Sequence, residues 1–293
     1  MGRKLLNQLV ANLSKEKFSQ LLNCLFLRVP IIVFGENSNV VNMFVDFLAT
    51  LLPHREPIVY WTDFVTREEY LQLLSAEEQD YNAKRNITLI YAQYAKRALS
   101  EFFNFKGCII GLKSVSMALE DAIRIVIDRN GNCGVLCVSN PFKFQKYGDV
   151  DLYFGKMLSE KVLEKTSVAM ERIKKVLVKK LGKKQLNEHL LKILLDFNAE
   201  EESIREEVLK EEILKFVHAC RRALYLLSRI RLLEQFRISG KISGKTLLET
   251  IGYFQTPPED IILFIKAEWN EDFGDILQKG RFSHIEDWLS SLW

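Results

Sequence analysis

No stretch of about 18 apolar residues occurs anywhere in the chain, so nothing reads as a membrane-spanning helix. The opening Met1-Gly-Arg-Lys-Leu-Leu-Asn lacks the apolar core and cleavage site of a secretory leader, and a cytoplasmic protein is expected. Cysteine is sparse: Cys24, Cys108, Cys133, Cys137 and Cys220. Cys133 and Cys137 stand close together, but no second pair or neighbouring histidine completes a zinc set. Four of the five thiols lie in strongly apolar segments, where free cysteine behaves as a small hydrophobe. His54, His189, His218 and His284 are scattered, without the spacing of a metal-binding pair. Neither a G-x-S-x-G nucleophile elbow nor a G-x-G-x-x-G dinucleotide fingerprint occurs. The charges nearly cancel, to a net +3, so no partner follows from overall charge. There is no internal repeat and no low-complexity tract, and no cofactor is expected.

Against these absences stand a hydrophobic content of 48% and 19 phenylalanines, enough for a large, aromatic-rich core. Residues 31–140 alternate short apolar runs with helical patterns. The runs are Ile31–Phe34, Ile58–Trp61, Ile87–Tyr91, Cys108–Ile110 and Gly134–Val138. Helical spacing appears near 40–51, 67–75, 94–103 and 116–128, where Leu119, Ala122, Ile123 and Val126 mark one face. Strands alternating with helices predict a parallel sheet covered on both sides, which explains runs that are wholly apolar. After Pro141 no further strand-like run is read. Residues 156–197 and 200–236 read as long helices, with shorter ones divided by Gly240, Pro257-Pro258 and Gly280. The expected architecture is an α/β domain over 1–150 with helices on both faces of its sheet, then an all-α domain over 151–293.

Two segments raise the question of a nucleotide. A phosphate-binding loop, G-x-x-x-x-G-K-[ST], follows a strand and opens a helix, so that backbone amides wrap the phosphates and the lysine meets their charge. The Gly244-Lys245-Thr246 tripeptide has the closing residues, but Ser239 stands at the first position and the preceding segment is helical. Ser243 is expected to cap a helix starting near Gly244. The right topology occurs instead at Gly35, after the first strand. There Val40, Val41 and Asn42 occupy the Gly, Lys and Ser/Thr positions, and valine supplies no cation. Asp63 ends a strand, where α/β sheets place ligands; it reads as an acid or metal carboxylate, or as a helix N-cap.

The stretch Gly107–Phe144, GCIIGLKSVSMALEDAIRIVIDRNGNCGVLCVSNPFKF, resembles the magnesium-strand-to-sensor segment of AAA+ ATPases, particularly clamp-loader subunits. On that resemblance Cys108–Ile110 is the magnesium strand, with Gly111-Leu112 in place of its acidic pair. Val138-Ser139-Asn140-Pro141 is the sensor turn, with Asn140 at the polar position. Residues 219–252 are faintly similar to the collar of a delta-type subunit. The resemblance implies a P-loop-like fold without its lysine and acids: a catalytically inactive scaffold that holds other protein subunits and works near DNA in replication or repair.

A basic run, ERIKKVLVKKLGKK, adds a candidate nucleic-acid surface. Lys174, Lys175, Lys179, Lys180, Lys183 and Lys184 cluster at helical spacing and could neutralise DNA or RNA phosphates; an ordinary solvated helix face is the other reading. Two rival functions remain open. One is a nucleotide-dependent enzyme with a non-standard site at Gly35, Asp63 and Asn140; the other is a helical oligomerisation protein.

Overall fold

The computed structural model describes residues 3–139, 142–148, 198–236 and 240–278. Two helices, α1 (Arg3–Asn12) and α2 (Lys15–Phe26), precede the sheet. There follow β1 (Ile31–Gly35), α3 (Ser38–Thr50), β2 (Arg55–Val59), α4 (Arg67–Gln79), β3 (Arg85–Ile90) and α5 (Ala95–Glu101). Then come β4 (Cys108–Lys113), α6 (Leu119–Asn130), β5 (Asn132–Cys137) and β6 (Lys143–Gly148). Beyond these lie the long α7 (Asn198–Gln235), β7 (Ile242–Ser243), α8 (Gly244–Ile251), α9 (Pro258–Trp269) and β8 (Leu277–Gln278). The helix expected over 156–197 falls outside the described residues.

The sheet has the order β2-β3-β4-β1-β5-β6. Its first five strands are mutually parallel, and β6 pairs antiparallel with β5. The α/β expectation therefore holds, with corrections. Strands do follow Pro141: β7 and β8 form a short parallel pair inside the stretch expected to be all-α. β6 alternates, burying Phe144 while Lys143 and Gln145 face solvent, which is the pattern of an edge strand rather than an apolar run. And β4 continues to Lys113, so Gly111 and Leu112 are strand residues and do not begin its terminal loop.

Local chemistry sets the element ends. The Ser14 hydroxyl accepts from the Lys17 amide at the start of α2, at 3.2 Å. Thr66 and Glu69 form a reciprocal capping box on α4. Pro258 opens α9 in the first turn, where its missing N–H costs nothing. Along α7, Leu209, Ile213, Phe216, Cys220, Ala223 and Leu227 recur every three or four residues and are buried, so this stripe faces the core.

Alternation along the strands sends side chains to two layers. Ile31, Val33, Leu89, Ile109 and Leu136 face α2 and α3, in one continuous apolar cluster that also takes in α1 and α7 to α9. Ile32, Ile90, Ile110 and Val135 face the opposite side, with Tyr70 of α4, Leu99 of α5 and Val126 of α6. Phe216 of α7 lies between Phe26 of α2 and Phe264 of α9, at ring-centroid distances of 6.2 and 5.0 Å. The C-terminal helices thus share a core with the sheet.

A buried ion pair ties the same parts together. Arg55, the first residue of β2, reaches Glu268 of α9 through Nη2 at 2.7 Å and through Nε at 3.1 Å to each carboxylate oxygen. It also donates to the Leu25 and Phe26 carbonyls at 2.7 and 3.0 Å. These lie at the C-terminus of α2, the negative end of its dipole, which favours a guanidinium.

Candidate functional site

Chain connectivity places the crevice where an α/β sheet offers a ligand site. The connection leaving β1 runs through α3 on one face of the sheet, and the one leaving β4 runs through α6 on the other. β1 and β4 are neighbours, paired from Ile31↔Ile109 to Gly35↔Lys113. Adjacent strands whose connections diverge to opposite faces leave an opening beyond their carboxyl ends. Gly35 stands at that opening, as the sequence predicts.

What fills the opening is the start of α3. Val41 is fully buried there. A Cβ added to Gly35 would come within 3.1 Å of one Val41 methyl and 2.7 Å of a Val138 methyl. One added to Gly111 would meet the other Val41 methyl at 2.9 Å and the Ala92 amide nitrogen at 3.1 Å. The two glycines have no side chain because Val41 occupies that space, wedged against the backbones of β1 and β4. Glycine beside a helix-opening loop is here a packing requirement.

Three amides at the start of α3 are also engaged. Asn37 caps α3 with its side-chain oxygen, which accepts from the Asn39 amide at 2.9 Å and the Val40 amide at 3.4 Å. Its carbonyl takes the Val41 amide at 3.0 Å. The next residue, Asn42, accepts from the Ala92 amide at 2.9 Å and donates to Gln93 Oε1 at 3.2 Å, which sews α3 to the end of β3. One turn on, Tyr91 donates to Asp46 at 2.7 Å. Burial, then this bond and the charges of Asp46 and Asp63, push the Tyr91 hydroxyl up to about 12. The sequence reading named Asn42 as a loop position but missed its bonds, and missed Asn37 and the Asp46–Tyr91 pair; Asn37 was legible as an N-cap residue ahead of an apolar helix, whereas the bonds of Asn42 link positions 50 or so apart and leave no local trace.

Asp63 is neither an N-cap nor a free carboxylate. Its Oδ2 accepts from the Val59 amide at 2.7 Å, closing the turn that ends β2, and the N-cap of α4 is Thr66. Trp61, in the same turn, has a left-handed backbone with φ of 71°, and the Arg97 guanidinium lies 4.0 Å over its ring. Asn140, the third member of the expected site, lies outside the described residues, as do Lys174, Lys175, Lys179, Lys180, Lys183 and Lys184. The Gly244-Lys245-Thr246 tripeptide behaves as a helix start: the Ser243 hydroxyl accepts from the Thr246 amide at 3.1 Å. The Lys245 side chain is 86% exposed and points toward Glu249 at 3.8 Å.

Comparison with known proteins adds no relative: no family model matches the chain, and no curated protein or solved structure is significantly similar to it. The site must therefore be judged on its chemistry. Among the described residues no group of three or more His, Cys, Asp or Glu side chains is placed to hold a metal. Burial pushes the Cys24, Cys108 and Cys133 thiols up to about 12, which favours the protonated thiol at neutral pH. Also among the described residues, no helix is long and apolar enough to cross a membrane.

Proposed function

We propose that this chain is a non-hydrolysing protein of P-loop-like fold, an interaction subunit in the AAA+ mould that holds other protein subunits and works near DNA. The observation that carries this reading is Val41, seated between Gly35 and Gly111 where the lysine and phosphates of a working loop would need room. The strand order supports it from another direction. It differs from the 3-2-1-4-5-6 order of dinucleotide-binding folds and from the 2-1-3-4-5 order of flavodoxin-like ones, the two common alternatives. A non-standard nucleotide enzyme at the same place is disfavoured, because Asp63 and Asn42 are committed to backbone amides.

Two measurements test the proposal. Calorimetric titration with magnesium and ATP should show neither binding nor turnover. Turnover that persists through repurification and disappears in Gly35→Val would overturn it. The DNA part rests on the lysine run at 174–184. Reversing Lys179, Lys180 and Lys183 to Glu should weaken binding to DNA of any sequence and flatten its salt dependence, because phosphate contacts carry little sequence information. Unchanged affinity in the triple variant would remove that part and leave a protein-binding scaffold.

A further inference from the structure

The loop between α5 and β4 holds Lys106 in place from both sides. Phe105 is fully buried, and its amide donates to the Asn130 side chain at 3.2 Å. Its carbonyl accepts from the Cys108 amide at 2.9 Å. The Gly107 amide donates to the Arg28 carbonyl at 2.7 Å, and the Asn104 side-chain oxygen accepts the Lys106 amide at 2.8 Å. Gly107 has φ of 75°, and a Cβ there would come within 3.0 Å of Arg28 Nε, so the turn requires glycine.

The side chain so placed lines a cavity of about 310 Å³, at the small end of the range for ligand pockets. It shares that lining with Tyr70 and Leu74 of α4 and with Ala267 and Trp269 of α9. Lys106 is exposed enough to meet a reactant. Among the described residues its ammonium makes neither an ion pair nor a hydrogen bond. Glu268, the one carboxylate in the lining, is held by Arg55 in three close contacts. Arg28 and Arg85, also in the lining, have partners of their own.

Desolvation, and then the fields of Arg28 and Arg55, hold the Lys106 ammonium below its ordinary pKa against the opposing pull of Glu268. A lysine partly stripped of water beside cationic groups carries more neutral amine at a given pH, and the neutral amine is the nucleophile. The same surroundings favour a reaction that leaves this nitrogen uncharged.

We propose that Lys106 is an acylation site, at which Nζ takes a small acyl group from an acyl thioester and the cavity lodges that group. The neutral amine attacks the thioester carbonyl carbon. A C–N bond forms as the C–S bond breaks, and the thiolate leaves with the electron pair and takes up the proton that the nitrogen gives up. The product is an amide, which carries no charge at any pH the fold survives. The site is separate from the Val41 crevice and does not depend on how that crevice is read.

The test exposes the full chain to the acetyl thioester of N-acetylcysteamine and reads initial acetylation rates lysine by lysine, by peptide mass spectrometry. Lys96 on α5 and Lys143 on β6, both exposed, serve as references within the same molecule. Lys106 should react at least about threefold faster than either. Its rate should also stop rising at a lower pH than theirs. The ionisable groups that bear on this profile are Arg28 before β1, Arg55 and Arg85 at the starts of β2 and β3, Tyr70 on α4 and Glu268 on α9. Asn104→Asp keeps the oxygen that accepts the Lys106 amide but adds a negative charge, which favours the ammonium. In that variant Lys106 should slow to the rate of the references. A Lys106 that reacts no faster than Lys96 and Lys143 in the parent chain would overturn the proposal. So would an undiminished rate in Asn104→Asp with unchanged circular dichroism.

Discussion

Glu268 concentrates opposing forces on a single carboxylate. Burial pushes its pKa up, but the guanidiniums of Arg55 and Arg28, then His54, and the Arg55 hydrogen bonds together hold it at about 2. Glu268→Gln keeps the shape and leaves Arg55 buried against a neutral partner. A loss of about 3–5 kcal/mol is expected, read as a lower urea midpoint. His54, whose Nε2 lies 3.6 Å from Glu268 Oε1, is driven down from 6.5 to about 3. Burial is the main cause; Glu268 opposes it, and Arg55, Arg221 and Arg28 reinforce it. Both groups have folded values below their unfolded ones, so the unfolded chain binds protons first as pH falls. Stability is full above pH 6.5 and declines as His54 alone favours the unfolded state, then declines more steeply from 4.5 toward 2 as Glu268 joins it. His54→Leu should flatten the upper limb and keep the lower one in urea titrations at stepped pH. An upper limb unchanged in that variant would show that another group sets it. None of this was legible in the sequence, because Arg55 and Glu268 are 213 positions apart and no periodicity links them.

Elements were legible where their signals are local. The cap of α8 is one such case: Ser243 precedes an apolar helical run and takes the Thr246 amide. Ser243→Ala should cost about 1 kcal/mol in thermal unfolding. The exposed Lys245→Ala should stay within about 0.5 kcal/mol, despite its place in a Gly-Lys-Thr tripeptide. The central strands were read because burial on both faces makes them continuous apolar runs, as in Ile31–Val33. The edges were read less well for the same reason. β2 begins in the polar Arg55-Glu56-Pro57 and ends before Trp61, so its apolar run appears too late in the chain; β6 offers Phe144 alone as a fully buried residue. The crevice was half legible: its location follows from a glycine after the first strand, while the fit of Val41 between two strands required the fold.

At the scale of the whole molecule, the change of composition after Pro141 suggests two domains, yet the described parts share one apolar cluster from β1 to α9. The Arg55–Glu268 pair lies across the same junction. Sheet and C-terminal helices should therefore unfold together. Tryptophan fluorescence and far-ultraviolet circular dichroism should give superimposable urea transitions. Two resolved transitions would show that the shared core is too weak to couple them.

The outer strand β2 has a consequence beyond this one molecule. Among the described residues it pairs with β3 alone, and its middle residues Glu56 and Pro57 are exposed. An unpaired strand is a template on which further copies could polymerise, and a proline at its centre withholds one of the donors such growth needs, while the neighbouring carboxylate repels an identical strand. These two residues make the edge a poor template for adding a further strand. Pro57→Val, which keeps the fold, should scatter light and bind thioflavin at concentrations where the parent stays clear.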